Sequence, residues 1–298
     1  MIDGLRLITY NLETYRRDGE HRRYAEVEQV IGEMVSGGPA IVAVQEVVGG
    51  SWSAASRGLR HLAAVTGLRC DAGGGRHGVA AAPGRHHRLA VGLMWSPGIE
   101  AVLGSLGTVT GGLLWHALVW VTLDIGGRRH VVATYHGPPS DGRDQRRHEA
   151  KVVADTLAAD RRYPTWLGAD FNAPGARTVD GAYYDPDPAE AVTAGQRAAW
   201  GDKLPEIGYP TDRTPDLQFA DAGFVDVAVA AGVAWAPTTG HRPTDRNGRR
   251  RLDRWLSLSA HGQEERPVED MVIAYTVPDS ALIRSASDHR PGVVDIRP

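Results

Sequence analysis

The residues best suited to chemistry in this sequence lie at the ends of short apolar runs. Residues 165–169 form one such run, which stops at Asp170, and Asn172 follows two residues later. Side chains alternate along an extended strand, so Asp170 and Asn172 can share one face at its end. A carboxylate and an amide held on a rigid strand end suit a hard cation or a phosphate. The alternative interpretation is an Asx-type turn, in which both side chains satisfy local backbone groups.

The same pattern recurs along the chain. The polar groups that end or directly follow apolar runs, or that precede the last one, are Asn11, Glu46, His136, Asp170 with Asn172, Asp253, and Ser287-Asp288-His289. This repetition indicates strand ends that converge on one polar cleft. The carboxylate and amide oxygens predict a site for Mg²⁺, with Mn²⁺ or Ca²⁺ as alternatives, rather than for zinc. The histidines are not at the spacing of helical metal ligands, which favours acid–base or phosphate-contacting roles.

Composition limits the classes of protein that fit. The 298 residues are 42% hydrophobic and 23% charged, and the net charge is −3, so any contact with nucleic acid needs a local basic patch. Nearly every cation is Arg, which binds phosphate in bidentate fashion, although a bias towards GC-rich codons is an alternative cause. The single cysteine, Cys70, excludes an internal disulfide and a cysteine-rich zinc site. Without a signal peptide, a membrane-length apolar run or a sign of an obligate protein partner, we expect a cytoplasmic protein.

The elements that must position these residues are short strands interrupted by helices. Strands are predicted at residues 5–12, 41–44, 89–95, 99–106, 114–125, 129–136, 165–169, 224–229, 252–258, 271–277 and 292–296. Helical segments are predicted at residues 15–34, 51–65, 142–160, near 189–200 and at 216–222. No repeat, linker or change in composition divides the chain. We therefore expect a single domain over residues 1–298, with two packed sheets and helices outside.

Three loops are predicted to set specificity, at residues 71–88, 175–215 and 236–250. The first is rich in Gly, Ala, His and Arg, and we expect a mobile surface loop there. The third carries an arginine run directly before Asp253. Its candidate substrate contacts are Arg246, Arg249 and Arg250, and the alternative is a solvated charged face, which is the usual fate of such runs.

The polar motifs also occur in a familiar order. They are Thr9-Tyr10-Asn11-Leu12, Val44-Gln45-Glu46, Tyr135-His136-Gly137-Pro138-Pro139-Ser140, Gly168-Ala169-Asp170-Phe171-Asn172, Arg251-Leu252-Asp253-Arg254 and Ser287-Asp288-His289. From residue 9 to residue 289, this order resembles the endonuclease/exonuclease/phosphatase superfamily, which has the fold of deoxyribonuclease I. The resemblance implies an α/β fold, a four-layer α/β/β/α sandwich of two packed mixed sheets with helices outside. It also implies a metal-dependent phosphoester hydrolase site at one edge.

On the metal side of that site, the resemblance implies four residues. Glu46 resembles the main metal ligand of the family, and Asn11 resembles the amide that supports the metal site. Asp288 resembles a second carboxylate on the metal side. Asp170 resembles the carboxylate that orients or activates the attacking water.

On the phosphate side, the resemblance implies four more residues. Asn172 resembles the amide that contacts the scissile phosphate, and His136 resembles a phosphate-contacting histidine of the deoxyribonuclease I branch. His289 resembles the histidine at the phosphate, and Asp253 resembles the carboxylate that fixes its imidazole. The alternatives are that His136 is a core histidine and that Asp253 pairs with a neighbouring arginine.

The sequence departs from the family pattern at two places. Ala169 stands where a glycine usually precedes the motif aspartate. Trp115-His116 stands where many members carry a phosphate-contacting Arg, so His116 or an arginine from a loop is the candidate replacement. The first functional hypothesis is a nuclease that cleaves phosphodiester bonds of nucleic acid. The alternatives are a phosphatase or phosphodiesterase for a nucleotide, sugar phosphate or lipid head group, and an inactive binding protein of the same fold.

Overall fold

A computed structural model describes residues 4–15, 21–73, 78–84, 88–139, 143–187, 212–242, 249–261 and 268–298. Its strands are β1 (Leu5–Tyr15), β2 (Ala40–Val48), β3 (Ala81–Pro83), β4 (Leu89–Trp95), β5 (Glu100–Ala101), β6 (Gly107–Val109), β7 (Leu118–Ile125), β8 (Arg128–His136), β9 (Thr165–Asp170), β10 (Thr178–Val179), β11 (Ala182–Tyr183), β12 (Val225–Asp226), β13 (Asp253–Leu258), β14 (Val272–Thr276) and β15 (Gly292–Ile296). Its helices are α1 (His21–Val35), α2 (Trp52–Val65), α3 (Arg143–Ala158), α4 (Thr214–Asp221), α5 (Val227–Ala230), α6 (Val268–Met271) and α7 (Ala281–Ala286). None of these helices has the length and apolar character needed to cross a membrane.

Two mixed sheets form the centre of the described structure. The first has the strand order β14-β15-β1-β2-β4-β3, and β1 and β2 are its parallel pair. The second has the order β12-β13-β9-β8-β7-β5, with β6 also paired to β7, and β8 and β9 are its parallel pair. The remaining neighbours in both sheets are antiparallel.

Three apolar cores separate four layers. The core between the sheets contains Trp95, Trp166 and Trp255, all of them buried. A second core lies between the first sheet and helices α1, α2 and α7. A third core lies between the second sheet and helices α3 and α4. This arrangement confirms the predicted four-layer sandwich, and both sheets are buried on both faces.

Strand β1 shows why its sequence is apolar at nearly every position. Leu5 and Leu7 face the other sheet, whereas Ile8, Tyr10 and Leu12 face the helices. Because side chains alternate along a strand, a strand that is covered on both faces needs apolar residues in both sets. The polar residues that do occur on such a strand are therefore the exceptions that require explanation.

The strand directions bring the predicted polar positions to one edge. In the second sheet, His136 ends β8 and pairs with Asp170 at the end of the parallel strand β9. Asp253 pairs with the same Asp170, because β13 is antiparallel to β9 and begins where β9 ends. In the first sheet, Thr9 pairs with Gly292, so the segment before β15 lies beside the end of β1. The C-terminal ends of β1 and β9 thus lie beside the N-terminal ends of their antiparallel neighbours β15 and β13, and the C-terminal end of β8 lies beside that of β9.

Several sequence-based boundaries are wrong. Residues 99–106 form only the two-residue strand β5, because the chain turns at Gly104, which has a φ of +78°. Residues 114–117 precede β7 in irregular structure. Residues 224–229 form a short strand and then helix α5, because the carboxylate of Asp226 caps the backbone N–H groups of residues 228 and 229.

The segment at residues 71–88 also differs from the prediction. Among its described residues, 78–84 are mostly buried and include β3, which pairs with β4. Small residues such as Ala80, Ala81 and Ala82 fit against the inner strands without the β-branched pattern that indicates a strand. The predicted helix near residues 189–200 and the predicted start of α1 at residues 16–20 lie outside the described residues.

Candidate active site

The site is built on the strand faces that look into the space between the two sheets. His136, Asp170 and Asp253 occupy the same strand faces as the inter-sheet residues Val132, Trp166 and Trp255, which lie four, four and two positions away on the same strands. All three polar side chains are buried. Rigid strands therefore fix their positions, and the apolar inter-sheet core ends where they begin.

Asn11 joins the two sheets at this edge. Its Nδ2 donates to Glu46 Oε1 (3.1 Å) in its own sheet and to Asp170 Oδ2 (2.9 Å) in the opposite sheet. Its Oδ1 accepts the backbone N–H of Glu13 (3.0 Å). Each polar atom of this buried amide thus has a defined partner, and one NH₂ group holds two carboxylates at a fixed separation.

Strained backbone supports this arrangement. Glu13, Thr14, Glu46 and Asn172 all have positive φ, between +48° and +64°, which is unfavourable for residues with a side chain. The pairing of β1 with β2 shifts register between Asn11 and Tyr15, as expected where a bulge inserts extra residues. The bulge points the backbone N–H of Thr14 at Glu46 Oε2 (3.0 Å). Strain of this kind is commonly concentrated at functional sites.

His289 and Asp253 form a buried pair. His289 Nδ1 lies 2.7 Å from Asp253 Oδ2, and its Nε2 lies 4.0 Å from Asp170 Oδ2. Burial lowers the pKa of His289, but the negative charges of Asp253, Asp288 and Asp170 outweigh it and raise this pKa well above its ordinary value. The imidazole is therefore held as a cation whose free edge faces Asp170.

His136 lies on the other side of the same carboxylate. Its Nε2 is 3.5 Å from Asp170 Oδ2 and 3.9 Å from Glu46 Oε1. The ring of His116 stacks on it, with centroids 3.9 Å apart and planes inclined by 3°. His116 is buried, and it reaches the site through His136.

Asn172 borders the site next to Asp170. Its backbone N–H donates to Asp170 Oδ1 (2.9 Å), and its Nδ2 donates to the carbonyl of Gly137 (3.0 Å). Gly137 is required at its position, because a Cβ there would lie 2.5 Å from the carbonyl oxygen of Phe171. The two chain segments that leave β8 and β9 are therefore packed against each other.

The electrostatics of the cluster favour a cation. Burial raises the pKa of Glu46 to about 7, although the hydrogen bond from Asn11 opposes this change. Asp288 and Asp170 contribute to this rise, the charge of His289 opposes it, and the Glu46 side chain remains 19% exposed. A carboxylate that is crowded by like charges and open to the outside can be stabilised by a divalent cation with oxygen ligands.

A second group of potential ligands lies deeper in the site. Asp170, Asp253 and His289 each place one potential ligand atom within 4.8 Å of the others. The short distance between His289 and Asp253 already accounts for one contact of this group. Glu46 and Asp288 offer oxygen donors nearer to the surface, so they fit a hard cation better than this imidazole-containing group.

Sequence reasoning missed two residues beside the site. Glu13 Oε2 accepts the backbone N–H of Asp288 (3.0 Å) and Arg242 Nη1 (2.8 Å). Arg242 also donates to the carbonyls of Arg284 and Ser285, so it fastens its own loop to the segment that carries Asp288. The only available signal was the carboxylate two residues after Asn11, and nothing in the sequence indicated that a bulge would turn it towards residue 288.

The arginines around Asp253 divide into two kinds. Arg249 is exposed and Arg250 half-buried, whereas Arg246 lies outside the described residues. Arg251 is buried and contacts Asp185 and Asp226, each at 2.7 Å. Arg254, also buried, lies 2.9 Å from Asp216. Asp253 therefore pairs with His289 rather than with a neighbouring arginine.

The geometry agrees with a comparison against known protein families. The model of the endonuclease/exonuclease/phosphatase family matches residues 8–289, nearly the whole chain. The chain belongs to that family. Its members are described as endonucleases, exonucleases and phosphatases, so hydrolysis of a phosphoester is the reaction class of this fold.

Solved structures show the same fold at low sequence identity. A humanized TDP2 from D. rerio with 14 mutations is 13% identical, covers 99% of each chain and has a TM-score of 0.63. A protein of unknown function from Enterococcus faecalis is 14% identical, covers 98% of each chain and has a TM-score of 0.61. A mannosyl-6-phosphatase from Bacteroides thetaiotaomicron is 14% identical, covers 98% of this chain and 99% of its own, and has a TM-score of 0.59. No curated protein matches the chain in sequence.

Proposed function

We propose that this protein is a phosphoester hydrolase that depends on Mg²⁺ or a similar divalent cation. The observation that carries the proposal is the bridge made by Asn11, which holds the carboxylates of Glu46 and Asp170 between His136 and His289. Such an arrangement supplies an acceptor for a proton from water and, in His289, a cationic group for a phosphate within one site.

Asp170 is the residue best placed to orient the attacking water. Its two oxygens already accept hydrogen bonds from Asn11 and from the backbone of Asn172, which fixes the carboxylate plane. The raised pKa of His289 keeps its Nε2–H available as a donor to phosphate oxygens, and Asp253 fixes the ring. The side chains of His136 and Asn172 can donate to the same phosphate from the other side.

The metal ligands in this proposal are Glu46 and Asp288, and Asn11 supports them. When bound, Mg²⁺ would neutralise phosphate charge and polarise the phosphoryl group. Asn11 is a support rather than a direct ligand, because its oxygen accepts Glu13 N–H and its nitrogen faces two carboxylates. We propose that these groups act within one domain that spans residues 1–298.

For the substrate class, we propose phosphodiesters of nucleic acid. Burial lowers the pKa of Arg290, which directly follows His289, and the nearby charge of Arg249 lowers this pKa further, whereas Asp279 raises it. Arg250 directly precedes Arg251 and Leu252, which are buried and lead to Asp253. Arg249, Arg250 and Arg290 thus form a local basic rim. A protein with a net charge of −3 needs such a local patch to bind nucleic acid.

A small phosphoester is the second candidate, and a specific observation favours it. Two arginines of the same run are already engaged, since Arg242 is bonded to Glu13 and Arg251 to two buried aspartates. The rim is therefore less basic than the sequence indicates. A mannosyl-6-phosphatase is among the structures that share the fold.

Two assays with purified protein separate these candidates. Plasmid nicking and oligonucleotide cleavage in millimolar Mg²⁺ report nuclease activity, and phosphate release from sugar phosphates and nucleotides reports phosphatase activity. Asp170→Asn is the matched control, because it removes the proposed water-orienting charge and keeps the shape of the side chain. Equal signals from the wild type and Asp170→Asn in every assay would reject the proposed function.

A further inference from the structure

Arg254 reaches the chain on both sides of Asn172. It follows Asp253 on β13, so its side chain extends from the opposite face of the sheet, away from the site. Its Nη2 donates to the carbonyl of Ala173 (3.1 Å), and its guanidinium carbon lies 4.6 Å from the ring centroid of Phe171. The side chain is fully buried. One guanidinium thus contacts the residue before Asn172 and the residue after it.

Asn172 needs such support. Its φ of +48° lies in the left-handed region, which costs about 1 kcal/mol or more for a residue other than glycine. On the site side, its local hydrogen bonds go to Asp170 and Gly137. These bonds fix the amide only while the backbone at 171–173 keeps this conformation.

The contacts require the shape of an arginine. The planar guanidinium stacks on Phe171 with its face and donates to Ala173 and Asp216 with its edge. Asp216 anchors it, because Oδ1 accepts Arg254 Nη1 (2.9 Å) and Oδ2 accepts the backbone N–H of Ala176 (2.8 Å). A lysine could keep the charge, but it could not make the stacking and the forked donation together.

We propose that Arg254 is a positioning residue, which holds Asn172 in its strained conformation so that the amide faces the substrate phosphate. The proposal rests on the proposed function only for the last step, the contact between Asn172 and phosphate. Arg254 itself touches no reacting atom. Its loss should therefore lower kcat through Asn172 and leave the metal-binding residues in place.

A double-mutant cycle tests this coupling. Asn172→Ala should lower kcat about 100-fold, the usual cost of one lost donor to a developing charge. Arg254→Met combined with Asp216→Asn, which removes one positive and one negative charge together, should lower kcat at least 10-fold. In the Asn172→Ala background the same pair should cause no further loss, because residues that act as one unit are not additive.

The ion network provides a matched control. Arg251→Met combined with Asp226→Asn also removes one positive and one negative charge from this network, but it keeps all contacts of Arg254 to residues 171–173. Its kcat, corrected for the folded fraction, should stay within about twofold of the wild type. A similar loss in this control and in the Arg254 pair would mean that Arg254 acts only through stability, which overturns the proposal.

Two further results keep the proposal open to rejection. Arg254→Lys should fold, because the charge balance is kept, and should still lose most of the activity; full activity in this variant would overturn the proposal. A crystal structure of Arg254→Lys should show residue 172 outside the left-handed region or its side chain turned from Gly137. Unchanged geometry would overturn the proposal even if no phosphoester were hydrolysed, which separates its failure from that of the proposed function.

Discussion

Strand β13 separates two clusters of buried charge that differ in their balance. On one side, Arg251, Arg254 and the half-buried Arg177 are matched by Asp185, Asp216 and Asp226, and the closest ion-pair distances of the three arginines are 2.7, 2.9 and 3.7 Å, respectively. On the other side, the carboxylates that surround Asp253 have imidazoles and one amide as their near partners among the described residues. The charges of the first cluster neutralise each other within the protein. The second cluster is exposed to solvent at Glu46 and carries excess negative charge.

This difference shows which buried charges indicate function. Both clusters include residues of the motif Arg251-Leu252-Asp253-Arg254, and both are largely buried. A network with balanced charges gains no electrostatic stabilisation from a ligand. Its role is to hold the chain segments that carry these residues in place. A cluster with excess negative charge is stabilised when a cation binds to it. The balance of charge, rather than burial, distinguishes the two.

The largest effect on activity is expected from the buried pair His289 and Asp253. His289→Ala should lower kcat about 1,000-fold, because it removes a cationic donor from the site. Asp253→Asn should lose much of the same rate, and the double variant should be little worse than the worse single one. Steady-state kinetics on all three variants measure this coupling, and independent, additive losses would show that the two residues do not act as a unit.

A large effect on stability, but not on chemistry, is expected in the matched network. Asp226→Asn removes one negative charge from the buried network and leaves Arg251 paired with Asp185 alone among the described residues, so the free energy of unfolding should fall by about 3 kcal/mol. Urea denaturation measures the loss, and kcat corrected for the folded fraction should be unchanged. A variant as stable as the wild type would mean that the network is not a matched set of charges.

Glu46→Gln should have the opposite effect on stability. The pKa of Glu46 is 4.5 in the unfolded chain and about 7 in the metal-free folded protein, so the folded state keeps this proton up to a higher pH. The contribution of Glu46 to the free energy of unfolding is fully present below pH 4.5 and is lost as the pH rises through 7. This loss is on the order of 3 kcal/mol. Glu46→Gln should therefore remove this loss and make the metal-free protein more stable at neutral pH.

The same variant tests the metal site. Millimolar Mg²⁺ should raise the Tm of the wild type, because it binds the folded state, and should raise that of Glu46→Gln much less. Activity should be lost. Full turnover of Glu46→Gln in millimolar Mg²⁺, or an equal increase in Tm for both proteins, would remove Glu46 from the site.

The smallest effect is expected at the basic rim. Changing Arg246, Arg249 and Arg250 together to Gln should weaken DNA cleavage several-fold and flatten its salt dependence, since each lost phosphate contact lowers the slope by about 0.7–0.9. Hydrolysis of a small phosphodiester should barely change. The exposed pair Arg128 and Arg129 is the matched control, because it begins β8 at the end opposite His136. Equal salt slopes for the wild type and the triple variant would favour the small-phosphoester candidate.

The positions of the polar strand ends could be predicted from the sequence, because the contrast between apolar runs and single polar residues is local. Asn11, Asp170 and Asp253 stand out in this way, and the structure brings them together at one edge. Which residues face each other across the sheets follows from strand direction, which the sequence does not encode locally. The order of the motifs allowed the fold to be inferred before any pairing was known.

The matched network could not be predicted for the same reason. Asp185 lies in an irregular segment, Asp216 in α4 and Asp226 at the end of β12, and all three are distant in sequence from Arg251 and Arg254. Nothing local distinguishes them from surface aspartates. The bulge at Glu13 and Thr14 escaped prediction because its cause is tertiary: the hydrogen bond from Thr14 to Glu46 holds a conformation that neither residue favours.

The pairing of β1 with β15 has a consequence for the order in which the protein is made. Arg6 and Asp295 form a hydrogen-bonded ion pair across these strands although they are 289 positions apart. On the ribosome, β1 emerges first and waits for its antiparallel partner until nearly all of the described structure has been synthesised. His289 enters with that partner. An unfinished chain therefore lacks one of the two neighbours of β1 and the His289 imidazole, so we expect the proposed hydrolysis to begin only after synthesis has passed the last motif.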